Sequence, residues 1–323
     1  MEFPSELREK IRELVTRENT KQLTAAARRL SENYRAESPN GKISAASRED
    51  ILAYAAVRMP ATFAAVSRAL ELAPERFDGD IRDIQTVLDV GAGTGAGAIA
   101  ACLITDCRNI TCIERESNMI ELGRQLLNCL DIRADWIQSD VTQSKLQKAD
   151  LVVCSYCLNE LPENQRASLL TRLADAAERL LIIVEPGTPA SFAAMKKTRE
   201  TLLEMGLKIA APCPHERECP LPEDDWCHFT ARAARSDLHR QLKRAEAPYE
   251  DEKFCYVAMT RDDNTLKQVQ GGVILRHPII EKQKITLKLC CEDGIYTRLV
   301  TGKSPLFKTA RKSKTGDMFP TER

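Results

Sequence analysis

The sequence predicts an α/β fold built on a parallel, doubly wound sheet, and three observations carry that prediction. An apolar run, Thr86-Val87-Leu88-Asp89-Val90, leads directly into Gly91-Ala92-Gly93-Thr94-Gly95-Ala96-Gly97, with glycines at alternate positions before a small-residue helix start. Glycine tolerates φ > 0 and lets a ligand approach the backbone, as a strand-to-helix cofactor loop requires. A second strand-like run, Asn109 to Ile113, ends in Glu114, about 20 residues past the glycines, where a ribose-binding acid is expected. Strand and helix patterns then alternate as far as Met205.

Taken in order, the chain opens on helices. Apolar residues recur at helical spacing at Leu7, Ile11, Leu14 and Val15, then at Leu23, Ala26, Ala27 and Leu30. Ile51 to Leu72 reads as two helices broken at Pro60, because proline disfavours helical geometry in the residue before it. This predicts an N-terminal helical domain over 1–80, in which Arg58 either faces a cleft or is structurally paired. The α/β domain, 81–205, follows as strand Thr86 to Val90 and helix Ala96 to Cys102; strand Ile110 to Ile113 and helix Ser117 to Leu130; strand Ala134 to Ile137; strand Ala149 to Ser155 and helix Glu163 to Glu178; strand Leu180 to Val184 and helix Ser191 to Met205. Ligands in such sheets sit at the carboxyl ends of the strands, where Asp89 and the glycines, Glu114, Asp140 and Asn159-Glu160 fall.

Composition excludes some partners. Lys plus Arg and Asp plus Glu number 47 each in 323 residues, so no global field draws the chain to nucleic acid or membrane. Twelve cysteines in a chain this long, with no signal-like apolar segment at Met1, point to a reducing compartment where scattered thiols act as small apolar residues and clustered ones are metal-ligand candidates.

The glycine loop alone does not choose a cofactor, since dinucleotide dehydrogenases share it. Asp89 gives the Asp-x-Gly-x-Gly-x-Gly form usual in methyltransferases, Ser139-Asp140 stands where those enzymes hold an adenine amino group, and no His or Tyr-x-x-x-Lys is placed for hydride chemistry. The pattern favours S-adenosylmethionine, with Asp89, Gly91, Gly93, Gly95, Glu114, Asp140 and Asn159 as the candidate cofactor set. Two readings stay open for Asn159 and Glu160: orienting an acceptor and taking a proton, or capping the helix that begins at Pro162.

A Cys-rich insertion with a basic helical segment is expected over 206–262. Cys213-Pro214-His215, Cys219-Pro220-Leu221 and Trp226-Cys227-His228 place three thiols in a stiff loop. Thiolate suits zinc or iron–sulfur clusters, which want four protein ligands, so a fourth is sought among His215, His228, Cys255, Cys290 and Cys291. The loop's spacings of six and eight do not fit the Cys-x-x-Cys knuckles of common zinc modules, and the radical signature Cys-x-x-x-Cys-x-x-Cys is absent. Arg232, Arg235, His239, Arg240, Lys243 and Arg244 then read as a basic helix able to meet phosphates or simply a solvated face. The β-like runs Phe254 to Thr260, Gly272 to Leu275, Ile285 to Cys290 and Ile295 to Val300 read as a small antiparallel module, assigned to 263–323, with a tail of Lys303, Lys308, Arg311, Lys312 and Lys314.

Arg58-Met59-Pro60-Ala61-Thr62, Asp89-Val90-Gly91-Ala92-Gly93, the Cys213–Cys219–Cys227 block, Pro248-Tyr249-Glu250-Asp251-Glu252-Lys253-Phe254 and Leu289-Cys290 together resemble the methyltransferase-like small-ribosomal-subunit family called Rsm twenty-two, over roughly Ile51 to Asp317. The resemblance implies a Rossmann-like, S-adenosylmethionine-dependent methyltransferase fold, an association with the small ribosomal subunit and its rRNA during assembly, and a 4Fe-4S cluster. By position its ligands would be Cys213, Cys219, Cys227 and Cys290, with Cys291 the alternative to Cys290 because neighbouring strand residues face opposite sides. Thr315 departs from the family's aromatic before the terminal Gly-Asp, and the lack of an evident transit peptide points to a bacterial-type member, cytoplasmic where eukaryotic relatives occupy the mitochondrial matrix. A monomer with no membrane partner is expected. Three functions follow as alternatives: an iron–sulfur, adenosylmethionine-binding assembly factor; an active rRNA methyltransferase of the same fold; or a zinc-stabilised RNA-binding module with a vestigial pocket.

Overall fold

A computed structural model of the protein describes residues 1–35, 47–75, 77, 79–243, 246–261, 266 and 271–320. Its N-terminal helices follow the apolar spacing. Helix α1 (Ser5–Val15) buries Leu7, Ile11, Leu14 and Val15, and α2 (Thr20–Arg35) buries Leu23, Ala26, Ala27 and Leu30. Helix α3 (Arg48–Val57) starts at Ser47, whose hydroxyl accepts the N–H of Asp50 at 3.1 Å and satisfies one orphan donor of the first turn. Proline falls in the first turn of α4 (Met59–Leu72), where its missing N–H costs nothing. Helix α4 is apolar on nearly every side because it lies between the helical layer and the sheet.

The main sheet is built around β1 (Thr86–Val90), which pairs in parallel with β2 (Asn109–Glu114) and β4 (Ala149–Ser155); β3 (Asp135–Gln138) joins β2, and β5 (Ala177–Pro186) joins β4. Helices α5 (Ala96–Ile104), α6 (Ser117–Asn128) and α7 (Glu163–Ala176) make the crossovers, with α8 (Pro189–Glu204) after β5. The order β3-β2-β1-β4-β5 reverses between β1 and β4, so the crevice for a ligand opens at the carboxyl ends of those two strands.

Beyond β5 the sheet turns antiparallel. Strands β6 (Lys208–Ala211), β7 (Phe229–Ala234) and β8 (Tyr249–Thr260) complete eight strands among the described residues. Along one edge β8 pairs with β5, from Phe254 to Met259; its other edge is shared by β7, over Tyr249 to Phe254, and β6, over Ala258 to Thr260. The Cys-rich loop therefore leaves the sheet after β6 and returns as β7 beside the middle of β8. The run Phe254 to Thr260, expected in the C-terminal module, belongs instead to this main sheet. Nor does the basic stretch form one helix: residues 229–234 are strand β7 and only Asp237–Lys243 is helical (α9), while Arg244 lies outside the described residues.

A second, antiparallel sheet follows, formed by β9 (Gly272–Ile274), β10 (Ile279–Ile280), β11 (Lys284–Cys291), β12 (Gly294–Thr301) and β13 (Met318–Phe319). Its alternation places Ile285, Leu287, Leu289, Cys291 and Val300 in a core with Phe319 and with Ala310 of α10 (Phe307–Lys312). Asp317, just before β13, accepts from Arg68 of α4 at 2.5 Å, and the Thr315 hydroxyl accepts the N–H of Thr230 at 3.3 Å. No described helix is long and apolar enough to cross a membrane.

Candidate functional site

A cavity of about 430 Å³ opens at the carboxyl ends of β1 and β4, within the size range of small-molecule sites. Gly91, Gly93, Glu114 and Asp140 of the expected set line it. The N–H groups of Gly91 and Ala92 both donate to the Ile113 carbonyl, at 2.9 and 3.0 Å, which lays the loop across the end of β2. At Gly93 φ is +55° and a Cβ would meet only Tyr54 Oη, at 3.6 Å, so this backbone faces the open cavity. Glu114 is 9 % exposed and accepts the N–H of Gly93 at 2.8 Å through one oxygen, and those of Arg115 and Glu116 at 2.8 and 2.9 Å through the other. Asp140 accepts both the hydroxyl and the N–H of Thr142, at 2.6 and 2.8 Å, and the hydroxyl above all holds its carboxyl below the ordinary range.

The other three expected residues lie elsewhere. Asp89 is fully buried beneath the loop and accepts the N–H of Ala98 at 2.7 Å, so it ties α5 to β1 and does not line the cavity. Burial pushes its carboxyl up to about 7, against the pull of the Ala98 N–H. Gly95, at φ +85°, begins α5; a Cβ there would sit 2.6 Å from Leu127 Cδ1, which makes this glycine a packing requirement. Asn159 turns away: its side-chain amide donates to Ser191 Oγ at 2.8 Å and its carbonyl accepts from Arg166 at 3.2 Å.

Side chains not singled out for the cofactor complete the lining, among them Tyr54, Met119, Thr142, Ser155, Tyr156 and Glu160. Tyr54 had a signal in the sequence: it precedes Arg58 by one helical turn, and the Arg58 N–H donates to its carbonyl at 2.8 Å. Arg58 itself stands outside the cavity, with its guanidinium 3.2 Å from Glu252, whose same oxygen accepts the Tyr156 hydroxyl at 2.9 Å. Burial, with Glu114 adding and Arg115 opposing, raises the Glu160 carboxyl to about 7. Glu185 is buried at the end of β5, accepts the Leu158 N–H at 2.8 Å, and is raised by burial to about 8.

A second cavity lies under the Cys-rich loop. Cys213, Cys219, Cys227 and Cys290 all line it, together with Cys255, His215, Phe192, Leu221 and Leu275. Cys290 arrives from β11 and lies 3.7 Å from His215 Nε2, whereas Cys291 points into the core of the second sheet. Arg199 of α8 holds the loop by donating to the carbonyls of His215 and Arg217, at 3.1 and 2.6 Å. Burial and the neighbouring thiols raise Cys227 and Cys290, so ligation there would release protons. Among the described residues no group of three or more His, Cys, Asp or Glu side chains is gathered tightly enough to hold a metal ion.

The expected basic stripe is neutralised by the acidic start of β8. Arg232 donates to Asp251 at 2.8 Å and lies 4.0 Å above the Tyr249 ring; Arg235 and Lys243 reach Glu250 at 3.0 and 3.5 Å; His239 is buried, and burial lowers it to about 4. Lys303, Lys308, Arg311, Lys312 and Lys314 are exposed, with no ion pair to another described residue.

A profile of the family described as mitochondrial small ribosomal subunit Rsm22 matches residues 48–320. The chain belongs to the Rsm22 family. Among its relatives, the human mitochondrial ribosome assembly protein METTL17 is 28 % identical over 293 residues, covering 83 % of this chain and 62 % of that protein. The ribosome assembly protein RSM22 of Saccharomyces cerevisiae, also mitochondrial, is 22 % identical over 179 residues, 35 % of this chain and 28 % of that one. The Rsm22-family chain thus spans under two thirds of these relatives' length, and their mitochondrial names give the cytoplasmic expectation no support. Solved structures with a similar α/β sheet include the magnesium protoporphyrin IX methyltransferase of Synechocystis with bound SAH, at TM-score 0.41 and 16 % identity over 61 % of this chain and 81 % of that one. The N-methyltransferase NodS of Bradyrhizobium japonicum, also with SAH, has TM-score 0.39 and 14 % identity over 60 % and 84 %.

Proposed function

We propose that this Rsm22-family chain is a methyltransferase-like assembly factor for the small subunit of a mitochondrial-type ribosome, that it contacts the subunit's rRNA, and that it holds S-adenosylmethionine in the glycine-loop cavity and a 4Fe-4S cluster on Cys213, Cys219, Cys227 and Cys290. The observation that carries the reading is the thiol-lined cavity, which brings together three thiols from one loop and Cys290 from a remote strand, with Cys255 of β8 beside them. The four thiols line one space, and four thiolates are the donor set that a 4Fe-4S cluster takes. When bound, the cluster would be architectural: it closes a long loop, and its binding energy becomes folding energy. For the cofactor, Glu114 would accept from ribose hydroxyls, Asp140 from the adenine amino group, and Gly91 and Gly93 would admit the ligand to the backbone, while Asp89 and Gly95 hold the loop from beneath.

A second reading, an active rRNA methyltransferase, is favoured by Glu160. This acid lines the cavity with its carboxyl near neutrality, so at neutral pH it is able to take a proton from an amine or hydroxyl acceptor. Anaerobic purification followed by an optical spectrum and iron, sulfide and zinc analysis tests the cluster; iron and sulfide near four per chain are expected, and full zinc occupancy overturns it. Co-sedimentation with small subunits tests the assembly role. Transfer of label from adenosylmethionine to small-subunit RNA, abolished by Glu160→Gln, separates the enzyme from the factor.

A further inference from the structure

One thiol pair lies apart from both cavities. Cys102 sits in the last turn of α5 and Cys107 in the turn that leads into β2, with their sulfurs 3.2 Å apart and both side chains half-buried. The turn between them is held by Thr105, whose hydroxyl donates to the Ala101 carbonyl at 2.9 Å and accepts the Cys107 N–H at 3.3 Å. A disulfide needs about 2.05 Å between sulfurs, so a shift of about 1 Å within a short turn suffices.

We propose that Cys102 and Cys107 form an oxidative modification site that reacts with hydroperoxides and closes to an intrachain disulfide. The two thiols have divided roles. The hydrogen bond between the two thiols, seconded by Thr105, lowers Cys107 to about 7 against the opposing effects of burial and Asp106, while that same hydrogen bond and burial raise Cys102. With the sulfurs 3.2 Å apart and Cys107 outside the helix, Cys107 is assigned as the attacking thiolate and Cys102 as the resolving thiol, the direction in which their shared hydrogen bond moves the two. The Cys107 thiolate attacks one peroxide oxygen, the O–O bond breaks, and hydroxide leaves and takes a proton from solvent, giving a sulfenic acid. Cys102 then attacks the Cys107 sulfur, the S–O bond breaks, and the departing oxygen leaves as water with the Cys102 proton. Overall, two thiols and hydrogen peroxide give one disulfide and two waters.

Other thiols lack this combination. Cys154 neighbours Cys157 but is fully buried, and Cys129 is half-buried yet donates to the Leu126 carbonyl at 3.0 Å and is raised by burial. Cys129 therefore serves as an internal control.

The sequence supplies a convenient readout, because trypsin finds no Lys or Arg between Arg82 and Arg108, so Asp83 to Arg108 carries both thiols on one peptide. The full-length protein is treated with limiting hydrogen peroxide, alkylated, digested and mapped by mass. The expected result is a peptide two hydrogens lighter and unalkylated at both thiols, while Cys129 remains alkylated. Without oxidant at neutral pH, Cys107 is expected to alkylate about tenfold faster than Cys129. In Cys102→Ser, which lacks the resolving thiol, dimedone should trap a sulfenic acid on Cys107. The proposal is overturned if both thiols of this peptide stay alkylated while Cys129 or the cavity thiols have oxidised, or if Cys107 alkylates no faster than Cys129. Both of those readings come from the unmodified sequence and do not depend on the variant folding.

Discussion

The carboxylate of Glu114 accepts the backbone N–H of Gly93 at 2.8 Å, so the acid ending β2 is bonded to the glycine loop it faces. Glu114→Ala removes a charged acceptor from three N–H groups as well as the proposed ribose contact. Affinity for S-adenosylmethionine should fall by about 1–3 kcal/mol, the scale of a hydrogen bond to a charged group. Gly93→Val should abolish binding, because a branched side chain would occupy a φ +55° backbone that faces the cavity. Calorimetric titration reads both, and unchanged affinity in the pair would mean that the cofactor sits elsewhere.

Two buried acids set a pH dependence. Asp89 rises from 3.8 to about 7 and Glu185 from 4.5 to about 8, both chiefly through burial. The folded state holds these protons more tightly than the unfolded chain, so their contribution to stability is complete below about pH 4 and is lost as pH climbs through 7 to 8. Glu185→Gln keeps an acceptor for the Leu158 N–H without a titrating group, and should flatten the decline between about pH 5 and 9 by on the order of 3 kcal/mol. Urea midpoints measured across that range test this, and parallel curves for the two proteins would refute it.

The thiol-lined cavity predicts a sharp contrast between neighbours. Cys219→Ser and Cys290→Ser should lose iron, lower the stability of the C-terminal half and weaken co-sedimentation with small subunits. Cys291→Ser should keep its iron, because that side chain packs in the core of the second sheet. Iron content per chain measures the difference; equal loss in Cys290→Ser and Cys291→Ser would remove the ligand assignment.

Charge distribution makes a further prediction. Arg232 already has Asp251, and Arg235 has Glu250, so replacing either arginine with Gln should leave binding to small-subunit RNA nearly unchanged. Replacing Lys308, Arg311 and Lys312 with Gln removes exposed charges from α10 and should weaken that binding, while the slope of log affinity against log salt becomes shallower by about 0.7–0.9 for each phosphate no longer neutralised. Filter binding at several salt concentrations measures both sets, and a larger effect from the first set would reverse the assignment.

Much of this architecture was legible because local pattern and tertiary role agree. The β-branched run of β1, the glycines after it and the acid of Glu114 each follow from one short stretch. What escaped depended on partners distant in sequence. Phe229-Thr230-Ala231-Arg232-Ala233-Ala234 suits a helix by propensity, yet pairing with the acidic start of β8 makes it a strand, so Arg232 and Arg235 leave the expected helical stripe. Asn159 stands at a strand end as expected, but the turn at Leu158–Glu160 directs its amide to Ser191 and gives the cavity to Glu160. Alternation said that Cys290 and Cys291 face opposite ways; only the packing of the second sheet says which face meets the Cys-rich loop.

Strand β8 has a consequence for how the chain is made. Its partner β5 ends at Pro186, but β8 is complete only at Thr260, so a growing chain has finished the parallel strands well before the strand that covers β5 leaves the ribosome. During that interval Leu181, Ile182, Ile183 and Val184 present an open, strongly apolar edge, the kind of template on which nascent chains aggregate. Translation through the Cys-rich loop is thus a window of vulnerability, closed when β8 docks and brings the buried Cys255 into the lining of the thiol-lined cavity.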